Sequence, residues 1–355
     1  MSAKMIIREV QIRNFKSLRS IRVEMERFTV FVGPNASGKT SVLQAIDAMC
    51  RNFSFDPFFS KDTPEDAEIR QSKSKSTNES VELLARTVEG WFRYRSLDDS
   101  VRYSESKEEL QEQLANVRTV SDGPDKPEWT PINFFNTLPQ SVVLRLEANK
   151  LIPPAINQGN LNTMASDGTG LHVALTSMAL YEPDVWQTLQ DDLRSIIPTI
   201  RRVRHSKVPP GQVAPLLFDM KGADGLTSGQ VSEGTLLVLG LLTALYAPDR
   251  PNLILLDDLD RGLHPKAQRE LIALLRKLLE RNPNLQIAAT THSPYMLDCM
   301  DPKEVRMTCL DETGATVCDS IVNHPKFEKW KDEMAPGELW SLFGEKWLLE
   351  RKVAA

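Results

Sequence analysis

Gly33-Pro34-Asn35-Ala36-Ser37-Gly38-Lys39-Thr40, followed by Ser41, fits the pattern G-x-x-x-x-G-K-[ST]. Phe28 to Val32 before it is an apolar run of strand length, and Val42, Leu43, Ala45, Ile46 and Met49 after it recur at helical spacing. Strand, glycine-bearing loop and helix, in that order, is the context the pattern requires. The glycines let the backbone curl so that successive N–H groups face one phosphate, and the following helix N-terminus adds partial positive charge. Lys39 would neutralise the outer phosphates and Thr40 would offer its hydroxyl oxygen to Mg²⁺, with residues from Gly33 to Ser41 forming the nucleotide-binding set.

Outward from this loop the chain reads as an α/β protein. Ile6 to Ile12 and Ile21 to Met25 have strand-length apolar patterns that precede Phe28 to Val32. Ser60 to Ser80 is polar and is expected to be a surface segment, Glu105 to Val117 a short charged helix, and Ser121 to Pro131 a loop. Ser141 to Leu146 is a strand candidate, and Gly170 to Leu180 and Val185 to Ile197 carry helical spacing. Gly234 to Tyr246 reads as an apolar helix, Leu253 to Leu256 as a buried strand, Pro265 to Arg281 as a helix and Gln286 to Thr291 as a further buried strand. That alternation predicts mixed N-terminal strands plus a mostly parallel sheet flanked by helices. A helical middle insertion and no long coiled coil complete the expected architecture. The expected segments are 1–59 with the phosphate loop, 60–225 as a surface and mixed region, 226–323 as a second lobe, and 324–355 as an aromatic tail helix.

The 355 residues carry 43 Lys and Arg against 48 Asp and Glu, a net charge of −5, which excludes a wholly basic nucleic-acid wrapper. No run reaches the length and apolarity of a membrane helix, and no signal-peptide pattern opens the chain, so a cytoplasmic protein is expected. Cys50, Cys299, Cys309 and Cys318 show no paired spacing of a metal site.

Two further clusters sit where apolar strands end. Leu253 to Leu256 runs into Asp257 and Asp258; Asp257 is expected to hold Mg²⁺ and Asp258 to polarise an attacking water. Thr290-Thr291-His292-Ser293-Pro294 follows the next strand, which brings His292 to the same edge, where it can report on the outer phosphate or serve as an ordinary capping histidine. Lys39, Asp258 and His292 are thus the candidate catalytic residues.

These residues, with Asn14-Phe15-Lys16-Ser17-Leu18, Val231-Ser232-Glu233-Gly234-Thr235 and Asp257-Asp258-Leu259-Asp260-Arg261-Gly262-Leu263-His264-Pro265, resemble the ABC-type ATPases of the RecF, SMC and OLD group. The chain looks most like the stand-alone ATPase subunits of bacterial anti-phage systems, PtuA-like and retron-associated. The resemblance implies a head-to-tail dimer of two copies closing on ATP and Mg²⁺, with Ser232, Glu233 and Gly234 as the signature residues that reach the partner's nucleotide. It also implies a separately encoded effector such as a nuclease, toxin or reverse transcriptase, controlled by closure or hydrolysis. A RecF-like ATPase that clamps DNA in genome maintenance is the alternative. A serine opening an apolar helix also has a plain N-cap reading.

Asp258 stands where the family usually has Glu, and its carboxylate is about 1.5 Å shorter in reach, which predicts slow hydrolysis. The stretch after His292 is too short for a nuclease domain, so no nuclease activity is expected in this chain. Arg201, Arg202, Arg204 and Lys207 form a basic patch able to follow a nucleic-acid backbone, or a solvated face balanced by ion pairs. Trp340, Phe343 and Trp347 lie at helical spacing in the tail and would lock it to the body or form a docking face.

Overall fold

The computed structural model describes residues 6–53, 81–87, 91–96, 139–152, 164–207, 214–248 and 250–354. In chain order the elements begin with β1 (Ile7–Phe15), β2 (Leu18–Glu24), β3 (Phe28–Val32), α1 (Lys39–Phe53), β4 (Val81–Thr87), β5 (Trp91–Ser96) and β6 (Ser141–Leu144). Next come α2 (Ala148–Leu151), α3 (Leu171–Tyr181), α4 (Pro183–Ile196), β7 (Ile200–His205), β8 (Leu216–Met220), β9 (Ala223–Thr227) and α5 (Glu233–Tyr246). The last third holds β10 (Leu253–Leu256), α6 (Pro265–Arg281), β11 (Gln286–Thr291), α7 (Pro294–Leu297), β12 (Val305–Leu310), β13 (Thr316–Ser320), α8 (Phe327–Trp330), α9 (Pro336–Phe343) and α10 (Lys346–Ala354). The expected helix at 105–117, the loop at 121–131 and the segment 60–80 lie outside the described residues.

The chain forms two compact units, the first from residues 1–142, 252–257 and 281–355, the second from 143–251 and 258–280. The linear segments expected from the sequence interleave in them. The first unit is organised by a sheet of order β13-β12-β3-β11-β10-β6, in which β12, β3, β11 and β10 run parallel and β13 is antiparallel to β12. Every residue of β3, β10 and β11 is buried, as parallel strands covered on both faces require. A second sheet, β2-β1-β4-β5, is antiparallel, and α1 packs against β1, β4, β10 and β11.

Gln286 joins the two sheets. It is 1% exposed; its Oε1 accepts the Ile7 N–H at 2.9 Å, and its Nε2 donates to the carbonyls of Ile7 at 2.8 Å and Glu26 at 3.0 Å. One amide thus ties backbone groups of β1 to the turn before β3. At the other end of β1, Thr316 of β13 donates its N–H to the Ser17 carbonyl and its hydroxyl to Ser17 Oγ, both at 2.8 Å, and so fixes the β1–β2 turn.

In the second unit α5 is apolar on nearly all sides, with eleven buried residues, and α2, α3 and α4 pack around it. Gln190 of α4 accepts the Val203 N–H at 2.9 Å, which seats the antiparallel β7-β8-β9 meander against that helix. The middle region is therefore mixed, with a three-stranded meander beside the helices expected of the insertion. β7 exposes Arg201 and Arg202 side by side, which hides the period-2 pattern that would have revealed it.

The tail also differs from the single helix expected. It forms α8, α9 and α10, and the break after Phe343 falls at Gly344, whose φ of +60° is left-handed and ends α9. Trp340 and Phe343 lie on one helix and Trp347 on the next. Phe343 packs tilted on the ring of His324 and Trp347 meets it edge-on, at 5.1 and 5.2 Å between centroids, and Trp340 Nε1 donates to Glu345 at 2.6 Å.

Replacing Gln286 by Leu should strand the Ile7 backbone groups in the core and lower the unfolding free energy by about 3 kcal/mol. A urea titration would show this as a lower midpoint at unchanged m-value. An unshifted midpoint would mean that the two sheets do not depend on this amide.

Candidate nucleotide site

Strand order and register assemble the first unit's site. In the sheet β11 lies between β3 and β10, with Thr291 opposite Val32 on one side and Ala289 opposite Leu256 on the other. The next residue along each strand reaches the carboxyl edge, so Gly33 emerges beside His292, and Asp257 beside Thr290. That edge is where open parallel sheets bind ligands.

The loop from Gly33 to Lys39 cannot carry side chains at its two glycines. Gly38 has φ +97°, and a Cβ there would stand 2.2 Å from Thr316 Oγ1; one at Gly33, with φ +154°, would stand 2.1 Å from the Thr308 carbonyl. Pro34, Asn35 and Ala36 form an exposed crest, while Ser37 and Lys39 are buried. Ser37 Oγ lies 2.6 Å from Thr308 Oγ1, and the Lys39 ammonium donates to the carbonyls of Gly33 at 3.0 Å and Pro34 at 2.8 Å. α1 begins at Lys39, and no acidic residue of its own first turn opposes the positive end of its dipole. Such a loop, with a lysine already folded over it, is built to surround an anion.

Thr40 and Asp257, 217 residues apart, meet at this edge: Thr40 Oγ1 donates to Asp257 Oδ1 at 2.8 Å and lies 3.1 Å from Oδ2. Thr290 Oγ1 donates to the same Oδ1 at 2.8 Å. A hydroxyl that has committed its proton to a carboxylate keeps lone pairs for a hard cation, so Thr40 and Asp257 suit Mg²⁺, with phosphate and water oxygens completing the shell. Among the described residues no group of three or more His, Cys, Asp or Glu could hold a metal by itself. His292 is exposed one residue beyond the buried Thr291, whose hydroxyl accepts the Ser293 N–H at 3.1 Å and holds the turn.

Thr290, Thr308 and Thr316 were not anticipated as site residues. Two adjacent threonines after the apolar run Ile287 to Ala289 are the available signal, because a hydroxyl in a dry strand must find a partner.

In the second unit Ser232 caps α5. Its Oγ accepts the Thr235 N–H at 3.3 Å and lies 2.8 Å from Thr235 Oγ1. The N-cap role is thus present whatever else the serine does. Gly234 is confined by its own chain: a Cβ there would lie 2.2 Å from the carbonyl of Gly262. Glu233 Oε1 and Arg261 Nε are 3.3 Å apart across the same contact. Asp258 is exposed and has φ +54°, a left-handed conformation that Asp tolerates, and its carbonyl accepts the Arg261 N–H at 3.0 Å to close a turn.

The basic patch lies on β7 with its charges largely met. Arg202 and Arg204 bond Asp219 of β8 at 2.6 and 3.1 Å, Arg201 pairs with Asp224, and Arg194 with Asp191. Asp219 also accepts the Gly225 N–H at 2.9 Å. Arg202, then Arg204, then that N–H hold its carboxyl well below the usual carboxylate range. Burial, with His172 nearby, pushes the His205 imidazole toward its neutral form. Lys207 is exposed two residues past the end of the strand.

Comparison with known proteins agrees with this geometry. The family AAA_21, described as "AAA domain, putative AbiEii toxin, Type IV TA system", matches residues 28–298. The Septu protein PtuA of Bacillus thuringiensis is 23% identical over 93% of this chain and 82% of its own length. A probable ATPase of retron Ec83 from Escherichia coli is 27% identical over 33% of this chain, and the match spans only 22% of that relative. Among solved structures, an Smc head bound to the C-winged helix domain of ScpA aligns over 91% of this chain and 99% of its own, with a TM-score of 0.52 at 15% identity. The Smc head of Pyrococcus furiosus with an extended coiled coil aligns over 93% and 100%, with a TM-score of 0.53 at 11% identity. The fold is therefore that of an SMC-type ATPase head. Among the described residues the longest helix is the 17-residue α6, and no helix is long and apolar enough to cross a membrane.

Gly234→Ala should destabilise the protein in the absence of any nucleotide. Helix propensity favours alanine by up to about 1 kcal/mol, but the overlap with a backbone carbonyl should cost about 1–3 kcal/mol and displace the turn at 258–263. A thermal melt of the nucleotide-free variant at or above the wild-type temperature would show that this contact has room to spare.

Proposed function

The chain belongs to the AAA_21 family and is an ABC-type ATPase of the SMC-head class with relatives in anti-phage defence, and from this we propose that two copies close head to tail around Mg-ATP to control a separate effector. The observation that carries this reading is the Thr40–Asp257 hydrogen bond at the carboxyl edge of neighbouring parallel strands, which supports it by bringing a hydroxyl and a carboxylate suited to Mg²⁺ together beside the glycine loop.

The roles follow from chemistry. Residues from Gly33 to Ser41 hold the triphosphate, and the Lys39 ammonium exchanges the loop carbonyls for phosphate oxygens. Bound Mg²⁺, held by Thr40 and Asp257, would supply charge neutralisation at the phosphates. Asp258 orients and deprotonates the attacking water, and His292 senses the outer phosphate from the neighbouring strand. Ser232, Glu233 and Gly234 belong to a second anion site at the start of α5, which serves the nucleotide held by the other copy. A shortened carboxylate at position 258 keeps turnover slow, so the ATP-bound dimer is the signalling state rather than a brief intermediate. The effector is a separate polypeptide; no nuclease role is assigned to this chain. The reading of a DNA clamp draws less support, because the arginines that would follow a phosphate backbone are engaged with Asp219 and Asp224.

Complementation between dead variants tests the shared site. Lys39→Ala should weaken ATP binding at least tenfold, Ser232→Arg should bind ATP but not assemble, and each alone should sediment as a monomer with ATP. A mixture of the two rebuilds one complete site from the sound loop of one and the sound signature of the other, and should recover ATP-dependent dimers. A mixture that stays monomeric while the wild type dimerises would contradict the shared arrangement. Asp258→Asn should retain assembly and lose about 100-fold or more in phosphate release. Unchanged release would remove Asp258 from catalysis.

A further inference from the structure

Thr290 is buried to 1% exposure on the strand between the phosphate-loop strand and the one that ends in Asp257. Its hydroxyl donates at 2.8 Å to Asp257 Oδ1, the oxygen that also takes the Thr40 hydroxyl at 2.8 Å. Asp257 thus receives one proton from α1 and one from β11, two elements with no freedom to follow it: α1 packs on the sheet, and β11 pairs with a strand on each side.

We propose that Thr290 is a positioning residue for the metal, acting through Asp257. A carboxylate at a strand end can turn about its last bond, and the Thr40 hydroxyl, within reach of both oxygens, does not distinguish one orientation from the other. The Thr290 proton selects one. With Oδ1 anchored from β11, the Thr40 proton is held on Asp257 and its lone pairs are kept toward the cation. Mg²⁺ demands near-ideal octahedral geometry at short distances, so its affinity responds to a small rotation that nucleotide binding through the loop amides would not register. Partners behind a ligand typically contribute 10–100-fold in metal affinity. The threonine is also the fitting residue by shape: a β-branched side chain suits a central strand, and only its hydroxyl distinguishes it from valine there.

The inference rests on the proposed Mg-nucleotide site, and the test separates the two. Affinity for a fluorescent ATP analogue is measured in EDTA and then against rising MgCl₂ for wild type, Thr290→Val and Thr290→Ser. All three should bind equally in EDTA. Wild type and the serine variant should gain affinity at similar Mg²⁺ concentrations, and the valine variant should need about tenfold more Mg²⁺ for the same gain. A valine variant with the wild-type Mg²⁺ midpoint would overturn the role of Thr290 alone. A serine variant as impaired as valine, or a valine variant already weakened in EDTA, would also overturn it, since the hydroxyl would then not act through the metal. A wild-type protein indifferent to Mg²⁺ would remove the metal site itself and this inference with it.

Discussion

Three strands lying side by side in one direction make the site possible. Because β3, β11 and β10 are neighbours and parallel, their carboxyl ends open at one edge, and a carboxylate at position 257 accepts hydroxyl protons from residues 217 and 33 positions away. The parallel register is in turn sustained by strands buried on both faces and by helices that cover them. A polar residue at such an edge has few partners to choose from, which is why Ser37 bonds Thr308 while Thr40 and Thr290 both donate to Asp257. The same dryness leaves Lys39 to satisfy itself on loop carbonyls until a stronger acceptor arrives.

The second unit is built on a different constraint. Its central helix is apolar on almost every side, so it must be enclosed, and its N-terminus, at Ser232, is where polar chemistry can surface. The absence of a side chain at Gly234 has an internal cause, the carbonyl of Gly262 at what would be overlap distance. That is a different reason from the close approach of a partner's nucleotide, the role the resemblance implies for this glycine. The two reasons are compatible: a turn packed hard on the first residues of α5 holds them in a fixed attitude.

Charge tells a similar story of local pairing. The basic run at 201–207 looks in the sequence like a field directed outward. In the fold its arginines at 201, 202 and 204 are drawn onto two aspartates, one of which, Asp219, is buried among them. The acidic partners lie 15 to 23 residues away in sequence, beyond the range that a charge run reveals. The tail shows the same limit at shorter range. Its three aromatics at helical spacing belong to two helices, because a glycine with positive φ intervenes.

The phosphate loop, the strand ends at Asp257 and His292, the apolar helix after Ser232 and the alternation of strand and helix were legible in the residues themselves, since each rests on local pattern: the spacing of apolar side chains, the glycines a tight loop needs, and a polar residue closing a dry run. The order β3-β11-β10, the partnership of Thr290 with Asp257, the collision that excludes a side chain at Gly234 and the neutralisation of the β7 arginines were decided only by the tertiary structure. They depend on groups remote in the chain becoming neighbours. No period or spacing encodes which distant hydroxyl, carbonyl or carboxylate a residue will meet once water has been excluded between them.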